Sequence, residues 1–136
     1  MTTHRGSCLC GNVTFEVSGA FDSFFLCHCK YCQKDTGSAH AANLFSSSAQ
    51  LKWLSGEDSI QQFNLAGTRH SKSFCRNCGS AMPWQVPGMF VIVPAGSLDS
   101  ELDVSVIPVK AHLFLASQAE WEQNSANAPR FNKFPE

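Results

Sequence analysis

Residues 6–17 read GSCLCGNVTFEV, two motifs joined end to end. Cys8 and Cys10 form a C-x-C pair followed by Gly11, and beyond them Val13, Phe15 and Val17 alternate with polar neighbours. A period of two over 12–17 marks a half-buried strand. The thiol pair sits at the mouth of that strand, so a metal knuckle and a β-sheet are predicted to share one stretch of chain.

The same strand signal recurs along the chain. Segments 39–45, 50–54, 60–65, 71–75, 89–95 and 111–116 read as short strands. Turn signals separate them at Ser18-Gly19, Ser55-Gly56, Ala66-Gly67, Pro87-Gly88 and Gly96-Ser97. This spacing predicts a mainly β, largely antiparallel architecture. Helices are confined to a turn or two at 30–35 and another at 117–123. Ser46–Ser48 reads as a loop. The tail from Asn124 onward is predicted to lie along the surface, pinned by Phe131 and Phe134. Phe24, Phe25, Trp53, Phe90 and Trp121 read as core, with Phe24 and Phe25 near enough to Cys27 to wall a pocket.

A second thiol pair, Cys75 and Cys78 in CRNCG (75–79), lies at the end of a predicted strand and again precedes a glycine. Two tight turns of this kind, far apart in sequence, can close a four-cysteine zinc site. A redox dithiol is the alternative for Cys75 and Cys78, but a thioredoxin-like motif needs a βαβ pattern that is missing here.

Using those four leaves CHCKYC at 27–32, with Cys27, Cys29 and Cys32. Three thiolates on one zinc leave a position open, as in catalytic zinc sites. His28 stands between two ligands and is expected to point away from the metal. Two other readings stay open: His40, His70 or His112 closes a structural site, or the three thiols carry no metal and act as an oxidisable cluster.

Composition sets the surroundings. The chain has 136 residues, 15% of them charged, with a net charge of -1. One domain over 1–136 is expected, and the charge balance argues against nucleic-acid or membrane partners. No apolar run reaches the length of a membrane span, and MTTHRGSCLCG lacks the apolar stretch of a secretory signal. Seven cysteines, an odd number, fit metal binding in a reducing cytoplasm better than disulfides. Lys30, Lys34 and Arg76 lie in or beside the cysteine motifs and read either as charge-balancing groups or as solvated cations.

Taken together, GSCLCGNVTFEV (6–17), CHCKYCQKDTGSAHAANLF (27–45), FCRNCGSAM (74–82), AGSLDS (95–100), HLFLASQAEW (112–121) and PRF (129–131) resemble the glutathione-dependent formaldehyde-activating enzyme family, which also includes centromere protein V. The resemblance covers nearly the whole chain. It implies a single zinc domain of coiled antiparallel sheets, β-tent-like in form. It also implies a structural zinc on Cys8, Cys10, Cys75 and Cys78, and a second, active-site zinc on Cys27, Cys29 and Cys32. The activity it implies joins a small thiol such as glutathione to a small aldehyde such as formaldehyde, formally a carbon–sulfur lyase running in reverse. A zinc-stabilised binding module and a redox-sensing thiol cluster are the alternatives.

Overall fold

The computed structural model describes residues 2–135. Its strands are β1 (Thr3–Ser7), β2 (Thr14–Ser18), β3 (Ser23–Cys27), β4 (Ala41–Ser46), β5 (Gln50–Ser55), β6 (Ile60–Asn64), β7 (Ser71–Cys75), β8 (Ala81–Met82), β9 (Trp84–Val86), β10 (Phe90–Pro94) and β11 (Ala111–Leu113). Two short α-helices, α1 (Lys30–Thr36) and α2 (Glu120–Gln123), complete the regular structure, with single turns of 3-10 helix between. The protein is mainly β, as the strand spacing predicts.

Three sheets form, in the orders β1-β2-β5, β11-β3-β4-β10-β9 and β6-β7-β8. Pairing is antiparallel except between β11 and β3, which run parallel. The period-two residues Val13, Phe15 and Val17 are fully buried. They meet Leu44 of β4, Cys75 of β7, Met82 of β8, and Val91 and Val93 of β10. Residues from all three sheets therefore share one core, in which each large apolar side chain contributes about 1.5–3 kcal/mol. Phe15 packs edge-on against Trp53 of β5, with ring centroids 5.9 Å apart. Ser46 ends β4 rather than opening a loop, and it is buried. Its hydroxyl donates to the Ala20 carbonyl and accepts the Ala49 N–H, so no polar group is stranded there.

Several elements differ from the sequence reading. β1 and β3 were not expected, because THRGS has no apolar alternation and SFFLC reads as a continuous apolar run. The C-x-C pair therefore lies between β1 and β2, at the tip of a hairpin. The strand expected over 111–116 stops at Leu113, where Phe114 takes a left-handed backbone with φ of 57°. The helix expected over 117–123 shrinks to one turn. Trp121 is 63% exposed, so it is not core. Phe131 and Phe134 are also exposed and do not pin the tail. Apolar character alone does not bury a ring that lacks a sheet to pack on.

Gly6 is closely approached by Phe15, its cross-strand partner in the same sheet, and by the 3-10 turn at Ala95–Ser97. A β-carbon there would come within 2.2 Å of the Phe15 ring and 2.4 Å of the Ser97 carbonyl oxygen. One is a packed ring and the other is main chain, so neither can move away cheaply. Gly6→Ala should therefore lower stability by about 1–3 kcal/mol, the usual cost of overpacking. A urea midpoint equal to that of the wild type would show that the Phe15 ring and the turn at Ser97 can give way.

Candidate metal centres

Cys8 and Cys10 follow β1, while Cys75 ends β7 and Cys78 lies in the turn to β8. Their four sulfurs lie within 4.8 Å of one another. Cys8 and Cys10 Sγ are 3.5 Å apart, and Cys10 and Cys75 Sγ are 4.0 Å apart. A disulfide would need about 2.05 Å. Four sulfurs tetrahedral on zinc at about 2.3 Å stand about 3.8 Å from each other, so the donor set fits that ion. Gly11 and Gly79 have φ of 80° and 79°, the left-handed turn that the glycine after each thiol pair predicts.

The surroundings favour charge on some of these sulfurs and oppose it on others. Ser80, through its hydroxyl and its N–H, draws Cys78 down to about 5. The Ser80 oxygen accepts the Leu9 N–H at 2.8 Å and lies 3.3 Å from the Cys78 sulfur. Burial works against ionising Cys8. The Val13 N–H, 3.2 Å from its sulfur, and the Cys10 and Cys75 thiols outweigh that effect and lower it overall. At Cys10 the Asn12 N–H favours the thiolate, but the three neighbouring sulfurs together with burial push the group up to about 11.

The second group converges at the end of β3 and the start of α1, where the sulfurs of Cys27, Cys29 and Cys32 also lie within 4.8 Å of one another. Cys29 caps α1, its sulfur accepting the Cys32 N–H at 3.3 Å. Burial raises Cys27 and, with the nearby Cys29 and Cys27 sulfurs, raises Cys32. Burial also opposes ionisation of Cys29, but the Cys32 N–H and the Cys32 and Cys27 thiols prevail and lower it. Among the described residues no histidine joins this group.

The histidines take other positions. His28 is fully buried and points away from the sulfurs, as its place between two ligands predicts. Its Nδ1 is 3.1 Å from Glu122 Oε2, and its Nε2 is 3.0 Å from His112 Nδ1. If Nδ1–H donates to Glu122, Nε2 accepts from His112 Nδ1–H, and both nitrogens of the buried His28 ring have partners. His40 packs against His28 with centroids 5.0 Å apart. Gln33 of α1 donates to the carbonyls of both His28 and Ser117. The chain beyond β11 is thereby fastened to the cysteine loop.

A cavity of about 190 Å³ opens on this second group. Cys27 and Cys32 share its wall with Phe25, Phe45, Trp84 and Leu113, while Asp35, Arg69 and His70 add polar edges. Phe25 thus walls a pocket, as its closeness to Cys27 predicts, whereas Phe24, expected there too, packs against the core instead. Arg69 and Asp35 went unrecognised in the sequence, and no local pattern marks either one. The cations in the motifs do not converge on the sulfurs: Arg76 donates to the Asp58 carbonyl, and Lys30 and Lys34 are exposed on α1. A wider groove of about 460 Å³ runs beside Cys8 and Ser80 but does not reach the three-cysteine group.

Comparison with known proteins agrees with this arrangement. The family model described as glutathione-dependent formaldehyde-activating enzyme matches residues 3–117. The chain is also similar to the crystal structure of a Rhodobacter sphaeroides protein solved as a structural-genomics target. That likeness has a TM-score of 0.56 at 22% identity and covers 79% of this chain and 98% of the other. At that identity it speaks to the fold alone. No curated protein matches the chain.

Glu122 lies beyond the residues that the family model matches, yet it holds a buried histidine next to two site cysteines. Glu122→Ala would leave His28 Nδ1 without its carboxylate. The loss should be about 1–3 kcal/mol, the cost of stranding a buried polar group, and Glu122→Gln should recover part of it. Urea unfolding of the two variants checks both expectations.

Proposed function

Because the chain belongs to the glutathione-dependent formaldehyde-activating enzyme family, we propose that it is a zinc-dependent carbon–sulfur lyase-type enzyme. It would form or cleave the adduct of a small, glutathione-like thiol and a small, formaldehyde-like aldehyde. The observation that carries this reading is a three-thiol group, two of whose members (Cys27 and Cys32) line an aromatic-walled cavity, beside a separate group of four thiols.

Cys8, Cys10, Cys75 and Cys78 would hold a structural zinc that ties the β1–β2 hairpin to β7 and β8. Cys27, Cys29 and Cys32 would hold a second zinc with a position left for substrate. Zinc bound there favours the thiolate form of an incoming thiol and polarises a carbonyl, the latter more weakly than on imidazole ligands because three thiolates already outweigh its charge. Phe25, Phe45, Trp84 and Leu113 keep water from the reacting atoms. The cavity brings two small reactants to one wall, and such orientation can supply much of the rate gain. Arg69 offers positive charge at the edge of the cavity, suited to a carboxylate-bearing thiol. One domain working in the cytoplasm, without nucleic-acid or membrane partners, is consistent with the composition. No helix among the described residues is long and apolar enough to cross a membrane.

Freshly reduced protein should carry about two zinc ions per chain. Cys29→Ser should lower this to about one, abolish adduct formation and leave unfolding cooperative. Cys78→Ser should unfold the domain, since structural zinc contributes on the order of 10 kcal/mol of apparent folding energy. If Cys29→Ser unfolds the protein as well, the second group is structural and the chain is a binding module. Absence of saturable binding in a glutathione titration would point the same way.

A further inference from the structure

Cys27 and Cys32 face a cavity that also presents Asp35 and His70. Asp35 stands three residues beyond Cys32 on α1, and His70 immediately precedes β7. His70 Nε2 is 2.9 Å from Asp35 Oδ2, with both side chains about four-fifths shielded from solvent. Lys72 Nζ is 3.0 Å from Asp35 Oδ1 and donates to the Asp35 carbonyl at 3.2 Å. Each carboxylate oxygen therefore has its own partner, and the imidazole is held in one orientation.

A carboxylate only accepts hydrogen bonds, so Nε2 carries a proton. In the neutral ring Nδ1 is then the basic atom, and it has no hydrogen-bond partner among the described residues. Tyr31 packs against the ring at a centroid distance of 5.7 Å, which limits its rotation. An imidazole oriented by a carboxylate, with its other nitrogen unpartnered among the described residues and its ring lining a cavity shared with Cys27 and Cys32, has the form of a general acid–base.

We propose that His70, positioned by Asp35, is the proton-transfer residue for addition of a thiol to an aldehyde in this cavity. The inference rests on the thiol–aldehyde reading above. As the carbon–sulfur bond forms, the carbonyl π bond breaks. The thiol proton passes to His70 Nδ1 and from there to the new alkoxide oxygen, giving R–S–CH(OH)–R′. In reverse, Nδ1 takes the hydroxyl proton and returns it to sulfur. Nothing is oxidised or reduced, and the imidazole ends each turnover as it began. His70 is the catalytic residue of this step, and Asp35 is a positioning residue.

A tether between α1 and β7 is the other role these contacts can serve, and His70→Gln separates the two. Glutamine can still donate an N–H to Asp35 but has no nitrogen that accepts a proton. The test uses the zinc-loaded full chain with glutathione and formaldehyde, the exchange rate being followed by NMR above the uncatalysed rate. His70→Gln should lose on the order of 100-fold or more in kcat with KM nearly unchanged and the urea midpoint retained. Asp35→Asn should likewise lower kcat while sparing KM. His70→Ala should regain part of its rate with added imidazole, measured above the imidazole background. An active wild type with His70→Gln within about threefold of it would overturn the proton-transfer role and leave the thiol–aldehyde reading standing. A wild type that binds zinc but accelerates neither this pair nor other thiol–aldehyde pairs would overturn both.

Discussion

Four sulfur atoms within 4.8 Å cannot all carry charge without a cation among them, and the rest of the fold is arranged around that constraint. Unit charges about 4 Å apart repel by about 4 kcal/mol where the effective dielectric is near 20. The thiols show the same conflict in their own ionisation. Ser80 draws Cys78 down to about 5, whereas the sulfurs around Cys10 drive it up to about 11. A divalent ion removes the conflict, and in doing so would join the β1–β2 tip to β7 and β8. Residues 8–10 and 75–78 are far apart in the chain. The buried Cys8 and Cys75 also belong to the core, so knuckle and core are one packing unit.

The second cysteine group is built differently. Its three thiols come from one short stretch, and what surrounds them arrives from elsewhere in the chain. β11 runs parallel to β3, pairing Leu113 with Cys27 and His112 with Leu26. Glu122 and His112 then hold His28, and Gln33 ties α1 to the chain after β11. The thiols are local, but the wall facing them is not. This difference suits the two roles proposed: a closed set of donors resists change, while an open set leaves room for a small reactant and for the residues around it.

Family membership and the shape of the cavity bear on different questions. The match over residues 3–117 accounts for the sheets and both thiol groups. Glu122, the side chain that holds His28 from α2, lies outside that span, and the Asp35–His70–Lys72 group lies within it without supplying any of the thiols. A fold shared at 22% identity constrains such side chains little, because sheets tolerate many residues at their edges.

Local patterns are legible because they need no partner. The alternation of Val13, Phe15 and Val17, the C-x-C and C-x-x-C spacings and the glycines behind them act over a few bonds, and they determined the β class and the four-plus-three division of the cysteines. Contacts across the chain are not legible in this way. Nothing near His70 indicates that Asp35 will meet it, since α1 and β7 approach only once the sheets are assembled. Nor does an aromatic residue say whether a sheet will cover it: Phe15 and Trp53 found partners, whereas Trp121, Phe131 and Phe134 remained in solvent. The sequence by itself determined which atoms can bind metal. The tertiary structure decided which side chains face the three-thiol group, because a cavity wall is the sum of long-range packing choices that no single segment encodes.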